Sequence, residues 1–306
     1  MFQNAIELAG HFTRPVFTLA RTYGSHTVMP GAQTLFFVNE DGWAVTTKHT
    51  AQLLLSAGQI EKRYAEFKAK REALTIQYGI PYDDMPDPEY DQALANLAAE
   101  YKYTTGTICQ LKVNFIDCVD KISRFECKFH KTQDLALIKF EGWEKRAYRG
   151  YAKFAASTDI VKPGKFLCRI GYPYPEFKNF TYDEAEDTIK WTQEGHKTSP
   201  RFPSLGMVTR LIGADGKLVG IELNSPAPIG IDGGPVIGEN GLVYGMHVGT
   251  TPLKLGQCIH AEIIKAFLDE NDVKYYVDKG PKGGIAATSV ITPELLTKQN
   301  PGGMMN

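Results

Sequence analysis

Four polar residues stand beside apolar, strand-like stretches and carry groups that could do chemistry. They are His49, Asp134, Asp232 and His247. An imidazole exchanges its proton near neutral pH, and a neighbouring carboxylate can orient the ring and favour its charged form. Because these residues are far apart in the sequence, acid–base chemistry would require a fold that brings them together.

Three of the four lie in segments with a specific pattern. His49 follows a strand, an Asp-Gly turn and a second strand in TLFFVNEDGWAVTTKHTA, which is a hairpin signature. Asp134 begins the segment DLALIKF, and Asp232 lies in the turn Gly-Ile-Asp-Gly-Gly-Pro, residues 230–235. In this order the three segments resemble those of trypsin-like, or chymotrypsin-like, serine proteases. The nearest resemblance is to the HtrA-like and glutamyl-endopeptidase branches and to viral cysteine proteases of the same fold.

The resemblance covers about residues 34–270 and implies an all-β fold, a chymotrypsin-like double six-stranded β-barrel with a helical insertion and a C-terminal helix. The insertion is expected at about 52–102, where apolar residues recur at helical spacing and Asp87-Pro88 is typical of a helix start. We expect an N-terminal barrel over 1–150 and a C-terminal barrel over 151–275, whose helix is predicted at 261–270. The proline-rich segment YGIPYDDMPDP should be a loop between two helices of the insertion, and the charged, irregular region 177–203 a surface hairpin or loop. The composition of 276–306 indicates an extended or disordered tail.

The resemblance also implies the roles of a catalytic triad. His49 corresponds to the general base, Asp134 to the buried acid that orients it, and position 232 to the nucleophile. The backbone N–H groups of Gly230 and Asp232 correspond to the oxyanion hole. The sequence departs from the family at one point, because an aspartate stands at 232 where these proteases have serine.

That departure removes the attacking alcohol. A carboxylate is a poor nucleophile toward amides and has no proton for His49 to take at neutral pH. We expect Asp232 to form an ion pair with His49 and to raise its pKa, because two carboxylates beside one imidazole favour the charged ring. An imidazolium cannot act as a general base, so the triad is predicted to be vestigial.

His247 lies in the strand Gly245-Met246-His247-Val248-Gly249. In the glutamyl endopeptidases and viral relatives, a histidine in this strand lines the pocket that reads a Glu or Gln side chain. The resemblance therefore implies a peptide or protein ligand with Glu or Gln in this pocket. The alternative is a polar residue at a strand end that binds no ligand.

The composition narrows the classes of function. With 306 residues, a net charge of −1 and 43% hydrophobic residues, the chain reads as globular and has no positive excess that would favour nucleic acid or an anionic membrane. It shows no apolar run long enough for a membrane helix and no signal peptide, so a cytoplasmic location is expected. The five cysteines fit reduced core thiols, and the histidines lack metal-ligand spacing. We expect no metal and no cofactor.

Three functions compete. The leading hypothesis is an inactive protease homologue, a pseudoprotease that binds peptide or protein. The second is an active endopeptidase that uses an unexpected nucleophile such as Ser204 or Ser225. The third is a structural component of a virion or other large complex, which would use the insertion and the tail. The sequence does not indicate the oligomeric state.

Overall fold

The computed structural model of the chain describes residues 2–79, 87–214 and 216–278. Six antiparallel strands form a first sheet in the order β4-β1-β2-β3-β6-β5. They are β1 (Thr13–Thr22), β2 (Val28–Phe37), β3 (Trp43–Thr46), β4 (Ile108–Phe115), β5 (Arg124–Phe129) and β6 (Ala136–Glu141). The Asp-Gly turn predicted between β2 and β3 is present, and Gly42 in it has a φ of 82°, a conformation that glycine adopts without a steric penalty.

The second sheet has eight strands, six of which close into a barrel. It begins with β7 (Lys153–Ala155) and β8 (Phe166–Gly171), and a separate hairpin follows, β9 (Phe180–Asp183) and β10 (Thr188–Trp191). The remaining strands are β11 (Phe202–Ala214), β12 (Lys217–Leu223), β13 (Pro235–Ile237), β14 (Val243–Thr250), β15 (Gly256–His260) and β16 (Tyr276–Asp278). Their order is β13-β8-β11-β12-β15-β14-β7-β16, and an additional pairing of β13 with β14 closes the barrel.

The predicted fold class is confirmed: the chain is mainly β, with two barrel-like sheets and added helices. The second sheet is the closed barrel, whereas the first is a half-barrel with β4 and β5 at its edges. Aromatic packing joins these edges, because the rings of Phe115 and Phe125 lie 5.2 Å apart in a T-shaped contact. One apolar core includes side chains of both sheets, among them Phe37 and Ile170. The two sheets are therefore held against each other by a shared core.

In the described part of the chain, four helices accompany the sheets: α1 (Gln3–Ala9), α2 (Lys48–Tyr78), α3 (Pro88–Glu100) and α4 (Ala261–Glu270). Asp87 caps α3 as expected, since its side chain accepts from the N–H groups of Glu89 and Tyr90. The insertion differs from the prediction at its start: α2 begins at Lys48, directly after β3. Its first turn is stabilised by Thr47, whose hydroxyl accepts from the Thr50 N–H.

The C-terminal part contains the predicted helix and one further strand. Helix α4 has the expected bounds. Within the predicted tail, β16 pairs in parallel with β7, and residues 279–306 lie outside the described residues, as do 80–86 of the predicted loop between α2 and α3. Among the helices of the described residues, none has the length and apolar character that crossing a membrane requires.

Residues 177–203, expected to be a surface hairpin or irregular loop, form the β9–β10 hairpin and its flanks. Phe177 and Ile189 are buried in it, and the Phe177 ring stacks on Phe17 of β1 at 4.3 Å. The carboxylate of Asp187, between the two strands, accepts hydrogen bonds from Arg21 of β1 at 2.6 Å and from Tyr64 of α2 at 2.7 Å. The hairpin thus joins the second sheet to the first sheet and to α2.

Candidate active site

Strand pairing brings His49 and Asp134 together. Strands β3 and β6 are antiparallel neighbours with Thr46 opposite Ala136, so the residues just after β3 and just before β6 meet at one end of the sheet. His49 Nδ1 lies 2.7 Å from Asp134 Oδ2, and the His49 backbone N–H donates to Asp134 Oδ1 at 3.0 Å. One carboxylate therefore fixes both the ring and the backbone of His49.

The surroundings of this pair differ from the expected ones in two respects. His49 lies in the first turn of α2, and its Nε2 is 3.3 Å from the hydroxyl of Thr47. Asp134, expected to be buried, has 37% of its side chain exposed, and His49 has 50%. Thr47 is itself wholly buried and donates to the Thr50 hydroxyl, so its own hydroxyl serves the helix cap and is closed to a substrate.

The two groups shift each other's pKa in opposite directions. The hydrogen bond to Asp134 raises the pKa of His49, burial opposes this, and the charges of Asp134 and Asp232 add to the rise. Burial alone would raise the pKa of Asp134, but the hydrogen bonds from the ring and backbone of His49 outweigh it, and the pKa is lowered. The pair therefore favours an imidazolium beside a carboxylate.

Asp232 lies in a tight turn that is pressed between the two sheets. The Gly234 N–H donates to the Ile231 carbonyl at 2.8 Å, and Gly233 has a φ of 86°. A Cβ on Gly233 would lie 2.2 Å from the Thr34 carbonyl oxygen, so only glycine fits at this position. Gly233 is thus required by the close approach of β2, and Gly234 by that of β8, because a Cβ on Gly234 would lie 2.0 Å from the Ile170 carbonyl oxygen.

A residue that the sequence analysis did not single out anchors this turn. The hydroxyl of Thr34, on β2, donates to the Gly230 carbonyl at 2.9 Å and accepts from the Tyr172 N–H at 3.0 Å. One buried hydroxyl of the first sheet therefore binds both the 230–235 turn and the residue that follows β8 of the second sheet. The position of residue 232 relative to His49 depends on this link.

The predicted direct ion pair between Asp232 and His49 is not formed. Instead, Asp232 Oδ1 lies 3.4 Å from Nε2 of His247 on β14, and 22% of the Asp232 side chain is exposed. His49 is still within electrostatic reach. Burial raises the pKa of Asp232, the positive charge of His49 counteracts this, and the charge of Asp134 adds to it.

His247 is wholly buried and neutral. Burial is the main reason that its pKa is lowered to about 3, and the positive charge of Arg169 contributes. Its Nδ1 lies 3.7 Å from the Cys258 sulfur, whereas Nε2 has no hydrogen-bond partner among the described residues. The contact with Asp232 is therefore a neutral imidazole near a carboxylate.

Arg169 is a second residue that the sequence analysis missed, although a charged residue in the apolar strand FLCRIG of β8 was a usable signal. It is wholly buried, and its side chain donates to the carbonyl and hydroxyl of Ser225 and to the hydroxyl of Ser204, each at 2.8 Å. No carboxylate of the described residues forms an ion pair with it. Both hydroxyls bind Arg169, and among the hydrogen bonds of the described residues neither serine contacts His49.

The two amides expected to bind an oxyanion have no internal acceptor in the described residues. Within the parts of the chain that the structure describes, the N–H groups of Gly230 and Asp232 donate to no carbonyl or side chain, although the Gly230 carbonyl is bound. What the site combines is an imidazole held by one acid, a second acid in the turn, two available N–H groups and a buried neutral histidine. Among the hydrogen bonds of the described residues, His49 contacts no serine and no cysteine, and the one hydroxyl beside its ring is that of Thr47.

Comparison with known proteins gives little further information. No protein-family model and no curated protein matches the chain. Matches to solved structures include the protease Rv3671c of M. tuberculosis in its active form, with 15% sequence identity and a TM-score of 0.43. The match covers 90% of this chain and 88% of that chain. Because identity and TM-score are both low, the description of the fold rests on the strand pairing given above.

Proposed function

We propose that this chain is a protease-fold protein that binds a peptide or protein segment at the His49–Asp232 site without cutting it. The observation that carries the proposal is the carboxylate of Asp232 in the turn where trypsin-like proteases have the nucleophilic serine. In such enzymes, loss of the serine alone reduces turnover by about 10⁶. The residual acceleration, from binding and oxyanion stabilisation, is too small for useful proteolysis.

The state of His49 supports the same proposal. A general base must be unprotonated to take a proton, and the pKa of His49 is raised by its hydrogen bond to Asp134 and by the two nearby carboxylates. The serine nucleophile is therefore absent, and His49 holds its proton more tightly than a free histidine does. The proposed contacts to the ligand are the amides of Gly230 and Asp232, which make no hydrogen bond among the described residues and do not depend on a serine.

Restoring the serine tests the proposal directly. We expect the unmodified protein to show no turnover above background on a panel of fluorogenic peptides, and Asp232→Ser to gain measurable activity. Asp232→Asn is the matched control, because it removes the same charge without supplying an alcohol. The gain should disappear when His49→Ala is added to Asp232→Ser.

Two results would count against the proposal. Robust turnover by the unmodified protein, abolished by His49→Ala, would show an active peptidase. Failure to bind any peptide, measured for the unmodified protein and for Asp232→Asn, would remove the binding role.

A further inference from the structure

A cavity that includes no residue of the candidate active site lies between helix α1 and strand β11. Its volume is about 660 Å³, which is within the usual range for small-molecule sites in proteins. Most of its wall is apolar and comes from α1 and its cap, β8 and β11: Phe2, Ile6, Cys168, Pro203 and Leu205. Because Leu205 is 52% exposed, an apolar group can reach this wall from solvent.

Two charged residues, Arg201 and Glu7, interrupt the apolar wall. The Arg201 guanidinium packs on Gly10, which follows α1, and a Cβ at residue 10 would overlap its Nη1 and Cζ atoms. Arg201 is half-buried, yet no hydrogen bond and no ion pair is recorded for its side chain among the described residues. Its donors therefore face the cavity without an internal acceptor.

Other arginines add positive charge beside Arg201. Arg14 is 8% exposed, and its Nη1 donates to the Gly10 carbonyl at 2.7 Å, so it reaches the residue on which Arg201 packs. Burial is the main reason that the pKa of His11 is lowered, and the positive charges of Arg149, Arg14 and Arg201 add to it. No ion pair with a carboxylate is recorded for these three arginines in the described parts of the chain. They form a positive cluster at the cavity.

The apolar wall and the arginines together favour a ligand with an aliphatic chain and an anionic head. An anion gains charge-assisted hydrogen bonds from Arg201 and attraction from the neighbouring arginines, whereas a cation is repelled. Glu7 lies in the same wall and disfavours a second negative charge on the ligand. A singly charged carboxylate therefore fits better than a dianionic phosphate.

We propose that this cavity binds a small amphipathic carboxylate of the fatty-acid class, with the carboxylate at Arg201 and the chain against Ile6 and Leu205. Arg14 supports the site through its charge, because its Nε and Nη1 atoms already donate to backbone carbonyl groups. This binding is additional to the proposed peptide-binding function and does not depend on it.

Isothermal titration calorimetry of the full chain with sodium decanoate, below its micelle-forming concentration, tests the inference. Sodium acetate supplies the head group without the chain, and decyltrimethylammonium supplies the chain with the opposite charge. We expect decanoate to bind at one site and to shift the NMR signals of the His11 ring. The other two probes should bind about tenfold more weakly or not at all.

Variants then locate the site. Arg201→Gln should weaken decanoate binding about tenfold or more, because it removes the charge-assisted hydrogen bonds to the carboxylate. Leu205→Gln should weaken it about threefold or more through lost apolar contact. Both variants should keep the melting temperature of the unmodified protein within a few degrees. Arg124→Gln makes the same change in net charge at an exposed position on β5 and should leave the affinity unchanged.

Four outcomes overturn the inference. Decanoate does not bind, or it binds folded Arg201→Gln as tightly as the unmodified protein. An equal loss of affinity in Arg124→Gln would show a general effect of net charge. Equal binding of decyltrimethylammonium would show that the cavity takes aliphatic chains without selecting their charge. Peptide binding at Asp232 is measured separately, so none of these results bears on the proposed function.

Discussion

Protonation of His247 is expected to be a main cause of acid destabilisation, and the effect can be isolated. The pKa of His247 is about 3 in the folded protein, against 6.5 for an unperturbed histidine. Because folding lowers this pKa, the unfolded chain binds the proton first as the pH falls. The stabilisation is complete above pH 6.5 and is lost progressively as the pH falls toward 3.

The magnitude follows from the two pKa values. A difference of about 3.5 pH units corresponds to about 5 kcal/mol at 1.36 kcal/mol per unit. Over the accessible range from pH 6.5 to pH 4.5, the loss attributable to this one group is about 2 kcal/mol. No reduction for solvent screening applies, because the side chain is wholly buried.

The assay is urea unfolding at several pH values between 6.5 and 4.5 for the unmodified protein and His247→Gln. The variant can differ in stability at every pH, so the quantity compared is the change of unfolding free energy with pH. We expect the unmodified protein to lose about 2 kcal/mol more than the variant over this range. Contributions from the other histidines cancel, because they are present in both proteins.

His49→Gln provides a control of opposite sign. Folding raises the pKa of His49, so its stabilising contribution is present below pH 6.5 and is lost as the pH rises through the folded pKa. Removing His49 should therefore make the protein more sensitive to acid, whereas removing His247 should make it less so. Parallel pH profiles for the unmodified protein and His247→Gln would refute the assignment of a buried, neutral His247.

Three further predictions concern stability and reactivity. Asp187→Asn should lower the unfolding free energy in urea by about 3 kcal/mol, because Arg21, with 4% of its side chain exposed, loses its carboxylate; a loss below 1 kcal/mol would contradict this. Gly233→Ala should cost about 3 kcal/mol or more through its clash with Thr34, and unchanged urea stability would show that the turn can relax. In the native protein, Cys127 alone should react with a thiol reagent, because the other four thiols are buried. The reaction should be slow, because burial raises the pKa of Cys127 to about 11. Rapid reaction of several thiols would contradict this.

Most of the fold could be predicted because its signals are local. The Asp-Gly turn between β2 and β3 and the Asp87-Pro88 start of α3 are each encoded by a few neighbouring residues. The start of α2 was missed because Thr47 caps it through a side-chain hydrogen bond that the repeated threonines of TTKHT do not reveal. The hairpin in 177–203 was expected only as one option, because its stabilisation comes from distant partners such as Phe17.

The candidate site was predictable to the extent that it follows from strand pairing. His49 and Asp134 meet because β3 and β6 are neighbours, and both segments carry recognisable patterns. The direction of the Asp232 side chain was not predictable from the sequence, because it depends on whether His49 or His247 lies closer to it in the folded protein. Arg169 was overlooked because its role appears only when its burial and its neutral partners are known.

The charges around the turn explain how a carboxylate can occupy position 232 at all. A half-buried acid pays a desolvation penalty, which the raised pKa of Asp232 reflects, and Asp134 adds repulsion. Against this stands the positive charge of His49, which acts to lower the pKa of Asp232. In return, the charge of Asp232 helps to raise the pKa of His49, although the two side chains form no direct ion pair. A serine at 232 would remove this support for the charged form of His49, so the aspartate affects the state of the histidine as well as removing the nucleophile.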